Sequence, residues 1–269
     1  MPITLPSAER YPMKTSFIKS KSFKIIAAIG SLLFWVGLWQ LAAVRIGDSF
    51  FLPPPTEVFS SFADYLNQEQ VRRAVGASLL RVLEGYVIGV AAGTVLAFLT
   101  AKIWLVKALF EPLLSVIRAT PVVSIIIVAF LLLQREEVPV WIVILMVLPI
   151  VWANVEQGIC AVDKQLLEMA QMYGFGFVKK VRKLYLPSVL PYFTSAAITA
   201  FGLAWKSGVA AEIICYPENS LGRLIYQARQ NLYTSANVFA LTLIVVVFSI
   251  ILEKLLKYLL SKGRRVPVK

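Results

Sequence analysis

The 269-residue chain contains no histidine. That removes imidazole from its usual roles as general base, metal ligand and proton relay. Cysteine is nearly absent: Cys160 and Cys215 stand 55 positions apart, too few for a thiolate zinc site or a disulfide scaffold. Both read as small apolar fillers of helices, and no metal site is expected. Charge is scarce as well. Asp, Glu, Lys and Arg make up 16% of the chain, against about 25% in an average soluble domain. Hydrophobic residues supply 58%, and the mean hydropathy is +0.74. A single soluble core cannot hide that much apolar surface, because a chain of this length still leaves about a quarter of its unfolded surface in water. Much of this chain is built for lipid.

Nucleotide chemistry is missing too. A phosphate-binding loop needs Gly directly before Lys-Ser or Lys-Thr, so that backbone amides can cradle phosphates. The pairs present are Lys14-Thr15, Lys19-Ser20, Lys21-Ser22 and Lys206-Ser207, preceded by Met13, Ile18, Ser20 and Trp205. None qualifies. There is no GxSxG elbow and no HExxH, so an energy source other than an ion gradient has to come from a partner.

What is present is a series of apolar runs. A helix needs about 20 such residues to cross the hydrocarbon core of a bilayer. Residues 25–44 form an uncharged first run, too long for the core of a secretory signal. Five more follow at about 78–101, 107–133, 138–159, 187–214 and 237–260. The sequence therefore predicts an all-α polytopic bundle of about six spans. It divides into a segment 1–24, a membrane domain 25–260 and a basic tail 261–269, with no separate soluble domain. Lys and Arg outnumber Asp and Glu by 27 to 15. In a membrane protein that excess reflects loop bias and does not call for nucleic acid. If the N-terminus is inside, eighteen cations fall on the inner segments and six on the outer ones (Arg45, Arg72, Arg73, Arg135, Arg223 and Arg229). Positive charge stays inside, so both termini are expected in the cytoplasm.

Small residues recur every fourth position in two runs: Gly85, Gly89, Gly93, Ala97 and Ala101 in the second, and Ala196, Ala200, Ala204 and Gly208 in the fifth. That spacing keeps them on one face, where another helix can approach closely. The face serves either packing within one bundle or a moving or dimer-forming contact, and the alanine face of the fifth run is a candidate partner for Gly85, Gly89 and Gly93. Arg81 and Glu84 lie three apart on one helical face and read as a neutralising pair. Arg118 precedes Thr120-Pro121, where the third run is expected to break; a charge there must face protein or a wet cavity. Lys206 and Glu212 have two readings, structural ion pairing or a polar pathway. Pro149 is expected to kink the fourth span.

The inner loop at about 161–187 has the densest pattern. Leu166, Ala170, Tyr173, Phe177, Val181 and Leu184 recur at helical spacing, with Lys179, Lys180, Arg182 and Lys183 elsewhere. Gly174 and Gly176 interrupt it, which predicts two short helices joined by a turn. On periodicity alone this fits a basic amphipathic helix lying on anionic lipid. Residue by residue it reads Glu168-Met169-Ala170, then Gly174, then nine residues, then Leu184-Tyr185-Leu186-Pro187. This resembles the EAA loop of permease subunits of binding-protein-dependent ATP-binding-cassette importers, with Met169 and Leu184 as mild apolar departures. The resemblance extends over about 52–260. Leu52 through Val58, Ser78-Leu79-Leu80-Arg81 with Gly85-Tyr86, and Trp205 with Val209-Ala210-Ala211-Glu212 and Leu221-Gly222 are similar to the nitrate/sulfonate/taurine branch. Ser220 stands where that branch has glycine, and the stretch from Leu133 to Val138 lacks its usual Phe-Gly.

The resemblance implies the type I (MetI-like) permease fold in a bacterial plasma membrane. It implies a translocation subunit without its own ATP site, acting with cytoplasmic ATPase subunits that hold ATP and Mg, a second permease copy and an extracytoplasmic solute-binding protein. Carried over residue by residue, it makes Glu168, Met169, Ala170, Gly174, Leu184, Leu186 and Pro187 the ATPase-coupling residues. It points to a small solute such as nitrate, a sulfonate, taurine or a vitamin precursor. Arg118, Lys206 and Glu212 are the pathway candidates, and the two cations among them, Arg118 and Lys206, lean toward an anion. The rival is an ion-coupled secondary transporter, which would use Glu84, Glu156 or Glu212 and leave the EAA-like loop unexplained.

Overall fold

The computed structural model describes residues 21–230 and 235–263, with side chains over 25–230 and 235–260. The expectations placed on residues 1–20 and 264–269 lie outside the described residues. Among the described residues the regular structure is helical throughout. Helix α6 (Val138–Cys160) is the centre of the bundle, with α3 (Glu69–Lys102) along one side and α9 (Leu186–Cys215) along the other. Its Val143, Val147, Val151 and Val155 are fully buried.

The glycine stripe of α3 explains how close that packing is. A Cβ on Gly89 would lie 2.9 Å from the Val147 Cβ, and one on Gly93 would lie 2.8 Å from the Leu148 carbonyl oxygen. Gly85 sits the same way against Val140 and Val143. In lipid, where apolar burial drives little, close backbone approach supplies the packing that holds helices together. The partner is therefore the fourth span, not the alanine face of the fifth. That face also turns inward: Ala196, Ala200 and Ala204 are buried, and a Cβ on Gly208 would meet Val82 of α3 and Val143 of α6.

Among the described residues five helices are long and apolar enough to span a membrane: α1 (Lys21–Ile46), α3, α6, α9 with its preceding turns, and α11 (Ala236–Gly263). The sixth expected span is a bent pair, α4 (Trp104–Ala119) and α5 (Val122–Leu132), turned by 107°. The break falls at Thr120-Pro121, because proline disfavours helical backbone in the residue before it and Thr120 is extended. Pro149, by contrast, lies inside an uninterrupted α6. Helix α1 is peripheral and touches the rest at one end, where Trp39 Nε1 donates to the Pro53 carbonyl at 3.1 Å and its ring stacks on Phe239.

Two helices were not expected from the sequence. Helix α2 (Pro55–Asn67) begins with proline in its first turn, a favoured position, and α10 (Leu221–Ala228) is capped by Ser220. The loop itself forms α7 (Lys164–Met172), a turn, α8 (Phe177–Lys180) and a π-helical turn (Val181–Tyr185) that runs directly into α9.

Candidate functional site

Two constellations occupy opposite ends of α9. At its start stands the loop. Asp163 caps α7 by accepting from the Gln165 amide at 2.8 Å, which satisfies one orphan donor of the first turn. The helix ends in a Schellman arrangement: Phe175 N–H donates to the Ala170 carbonyl at 2.8 Å and Gly174 N–H to that of Gln171 at 3.0 Å. This needs Gly174 in the left-handed region, and its φ is +65°. Ala170 is buried, while Glu168, Met169 and Gly174 are exposed.

The apolar spacing noted across the loop does not form one covered face, because the turn at Gly174 splits it. Ala170 packs inward, and Val181 and Leu184 are half-buried. Leu166, Met172, Tyr173 and Phe177 stay exposed, Met172 at 87%. The result is a raised platform with Glu168 among exposed apolar side chains. Leu186 and Pro187 then open α9, so residues Phe177–Cys215 form one 39-residue helical run. Lys102 at the end of α3 places its ammonium 4.5 Å from the Phe177 ring and braces the loop against the bundle. That contact joins residues 75 positions apart, and nothing in local spacing announces it.

At the far end of α9, Glu212 is fully buried. Its carboxylate accepts from Ser78 Oγ at 2.7 Å, from Arg81 at 3.3 Å and from the Gly222 amide at 3.3 Å. Arg81 also donates to the carbonyls of Glu218 and Asn219, at 2.7 and 3.4 Å. Ser78 Oγ in turn accepts from the Leu221 amide at 3.0 Å. The neutralising pair expected between Arg81 and Glu84 is thus not formed. Arg81 reaches across to α9, and Glu84 is left exposed. The network ties α3, α9 and the start of α10 together and satisfies every polar atom it buries, which is the condition for a buried charge to be tolerated. Gly222 presses so closely on α9 that a Cβ would collide with the backbone of Glu212 and Ile213. Ser220, the residue that departs from the resembled motif, accepts from Arg223 N–H at 3.1 Å and donates to the Pro217 carbonyl at 2.8 Å.

The pathway candidates are not brought together. Glu212 has no surface with which to meet a solute and braces a wall instead. Arg118, exposed at the end of α4, donates to the Pro149 carbonyl at 3.0 Å and lies over the Trp152 ring at 5.4 Å. Lys206 is exposed on α9. Of the acids an ion-coupled transporter would need, Glu212 is held by Arg81 and Glu156 is paired with Lys107 at 3.2 Å. Glu111 on α4 and Glu253 on α11 are two further acids within the helices, not among those expected from the sequence.

Comparison with known proteins bears on this arrangement. The family model described as binding-protein-dependent transport system inner membrane component matches residues 85–265. A Brucella melitensis protein named a probable ABC transporter permease is 28% identical, over 82% of this chain and 89% of its own length. A Bacillus subtilis permease named for aliphatic sulfonates transport is 24% identical, over 72% and 71%. A Synechocystis permease named for bicarbonate transport is 25% identical, over 83% and 84%. Among solved structures, a bacterial ABC transporter that imports the polysaccharide alginate shares the fold at a TM-score of 0.62 and 15% identity, over 92% of this chain and 99% of that one.

Proposed function

The chain belongs to the family of binding-protein-dependent transport system inner membrane components, and from that membership we propose what drives this ABC importer permease and what it carries. The drive is ATP hydrolysis in separate cytoplasmic ATPase subunits, which supply both nucleotide and Mg. The platform of α7 and α8 is their docking element. One observation carries this: Glu168 is exposed among apolar side chains on a loop that continues into α9 without a break. A push on such a platform is transmitted along a single helix. Two copies of the chain enclose the route, and a solute-binding protein delivers the solute to the end that carries α10. The eighteen-to-six bias of cations puts both termini on the ATPase side.

The solute is a small anion. Relatives are named for sulfonate and bicarbonate transport. In this chain Glu212 is cancelled by Arg81, whereas Lys206 and Arg118 keep exposed positive charge within the helices. Nitrate-like and alkanesulfonate-like solutes fit this better than taurine, a net-neutral zwitterion, or a neutral vitamin precursor.

The test is made at the loop. In Glu168→Lys and Gly174→Val, membrane insertion and topology should persist while ATPase capture and solute-stimulated ATP hydrolysis fall together. Valine at a positive φ costs about 1–2 kcal/mol of local strain, enough to reshape the turn. If the loop lies on lipid instead, removing Lys179, Lys180, Arg182 and Lys183 is what weakens the protein, and Glu168→Lys is silent. Full ATPase capture and full uptake in both loop variants would defeat the docking assignment.

A further inference from the structure

Beyond its first turns, where Leu186 and Leu190 are exposed, the uncovered side chains of α9 differ in kind from those of α1 and α11. Between Tyr192 and Cys215 the exposed residues are Ser195, Thr199 and Lys206, and all three are polar. At 100° and 1.5 Å per residue they fall within about 40° of one another and extend over about 16 Å of helix. On α1 the exposed large residues include Ile29, Leu33, Trp35, Leu41 and Val44; on α11 they include Val246, Ile250 and Leu255. Those are faces made for lipid. The remaining sides of α9 are taken: Gly208 lies against α3 and α6, Trp205 Nε1 donates to the Val245 carbonyl of α11 at 3.1 Å, and Glu212 is locked to Arg81. The polar stripe is the side that no other helix covers among the described residues.

The hydroxyls supply a second observation. Thr194 and Ser207 on the same helix turn back onto the carbonyls of Pro191 and Leu203, at 3.0 and 2.9 Å, the usual resort of a hydroxyl that lacks water. Ser195 and Thr199 make no hydrogen bond among the described residues, and Lys206 makes no ion pair among them. An unpaired ammonium facing lipid within a span is strongly disfavoured, so water and a counter-ion are the consistent surroundings. Glu212, the acidic residue on α9, faces inward and is already neutralised.

We propose that Ser195, Thr199 and Lys206 line a water-filled route for an anionic solute, the Lys206 ammonium drawing the anion in and the two hydroxyls donating to it toward the loop end of α9. This rests on the importer reading above and identifies the face and the chemistry of its route.

Cysteine reactivity tests it in vesicles that hold the full chain with its ATPase, after Cys160→Ser and Cys215→Ala. The probes are the anionic 2-sulfonatoethyl methanethiosulfonate and its trimethylammonium counterpart, added to both faces. Ser195→Cys and Thr199→Cys should react on the order of tenfold faster than Leu41→Cys on α1, because a thiol in lipid does not ionise. Normalised to a free thiol, the anionic probe should be favoured at both by about threefold or more, and the preference should vanish with Lys206→Gln. Rates equal to that of Leu41→Cys, as a second copy packed over the stripe would produce, overturn the proposal. So does a preference that ignores Lys206→Gln. ATPase capture on the same vesicles separates the two readings: an unreactive stripe with the ATPase bound removes this inference alone, whereas a reactive stripe without ATPase removes the importer drive.

Discussion

Glu212 and Arg81 are partners of unequal dependence. The carboxylate is fully buried, whereas the guanidinium retains partial access and two backbone carbonyls as alternative acceptors. Removing Arg81 therefore strands a buried charge, which typically costs about 3–5 kcal/mol. Removing the acid strands little. We expect Arg81→Leu to lower thermal stability in detergent much more than Glu212→Gln, with Arg81→Leu/Glu212→Leu recovering part of the loss. Equal effects of the two single substitutions would show that the pair is not the unit described. Gly222 belongs to the same cluster. Alanine there has no room beside the backbone of Glu212 and Ile213, so Gly222→Ala should cost about 1–3 kcal/mol and loosen α10, measurable as faster proteolysis around Leu221.

At the scale of elements, the bundle depends on which helix faces are tight. The α3–α6 seam has no spare volume: a side chain at Gly89 meets Val147 at once. Gly37 on α1 has nothing within 4 Å of an added Cβ. Gly89→Leu should thus abolish a monodisperse folded peak in size-exclusion chromatography, and Gly37→Leu should leave it unchanged. The opposite ranking would place the glycine stripe toward lipid. The loop obeys a different rule, since Gly174 is needed for its dihedral and not for space: its added Cβ meets nothing. Gly174→Asn, which tolerates the left-handed region, should keep most of the ATPase binding that Gly174→Val loses.

For the whole molecule, the proposed orientation rests on loop charge and the proposed line of transmission is α9. Cysteines placed within 264–269 and near Arg45 should be labelled from opposite sides of intact cells, the former only after permeabilisation. Labelling of both from outside would reverse the topology and place α7 and α8 away from any cytoplasmic motor. The Lys107–Glu156 pair joins the start of α4 to the last turns of α6. Because Lys107 is partly exposed, its loss should cost well under the figure for Arg81.

The sequence alone determined the solvent, the number of long apolar runs, the break at Thr120-Pro121 and the turn at Gly174. Each follows from a local property: hydropathy over twenty residues, proline's constraint on its predecessor, or glycine's freedom at positive φ. Helices α2 and α10 were not expected, although local marks of them are present: Pro55 at a helix start, Val58-Phe62-Tyr65 and Leu221-Ile225-Ala228 at helical spacing, and the Ser220 cap. What the sequence could not decide was which charges meet. Arg81 and Glu84 are neighbours on a helical wheel, yet Arg81 pairs with a residue 131 positions away, because the stretch of α3 around Ser78, Arg81 and Val82 lies against the last turns of α9. The same holds for the faces of α9: periodicity marks Ala196, Ala200 and Ala204 as one side, but only the packing of α3, α6, α10 and α11 leaves Ser195, Thr199 and Lys206 uncovered. Local chemistry fixes the elements; which of their faces remain free is a property of every other helix at once.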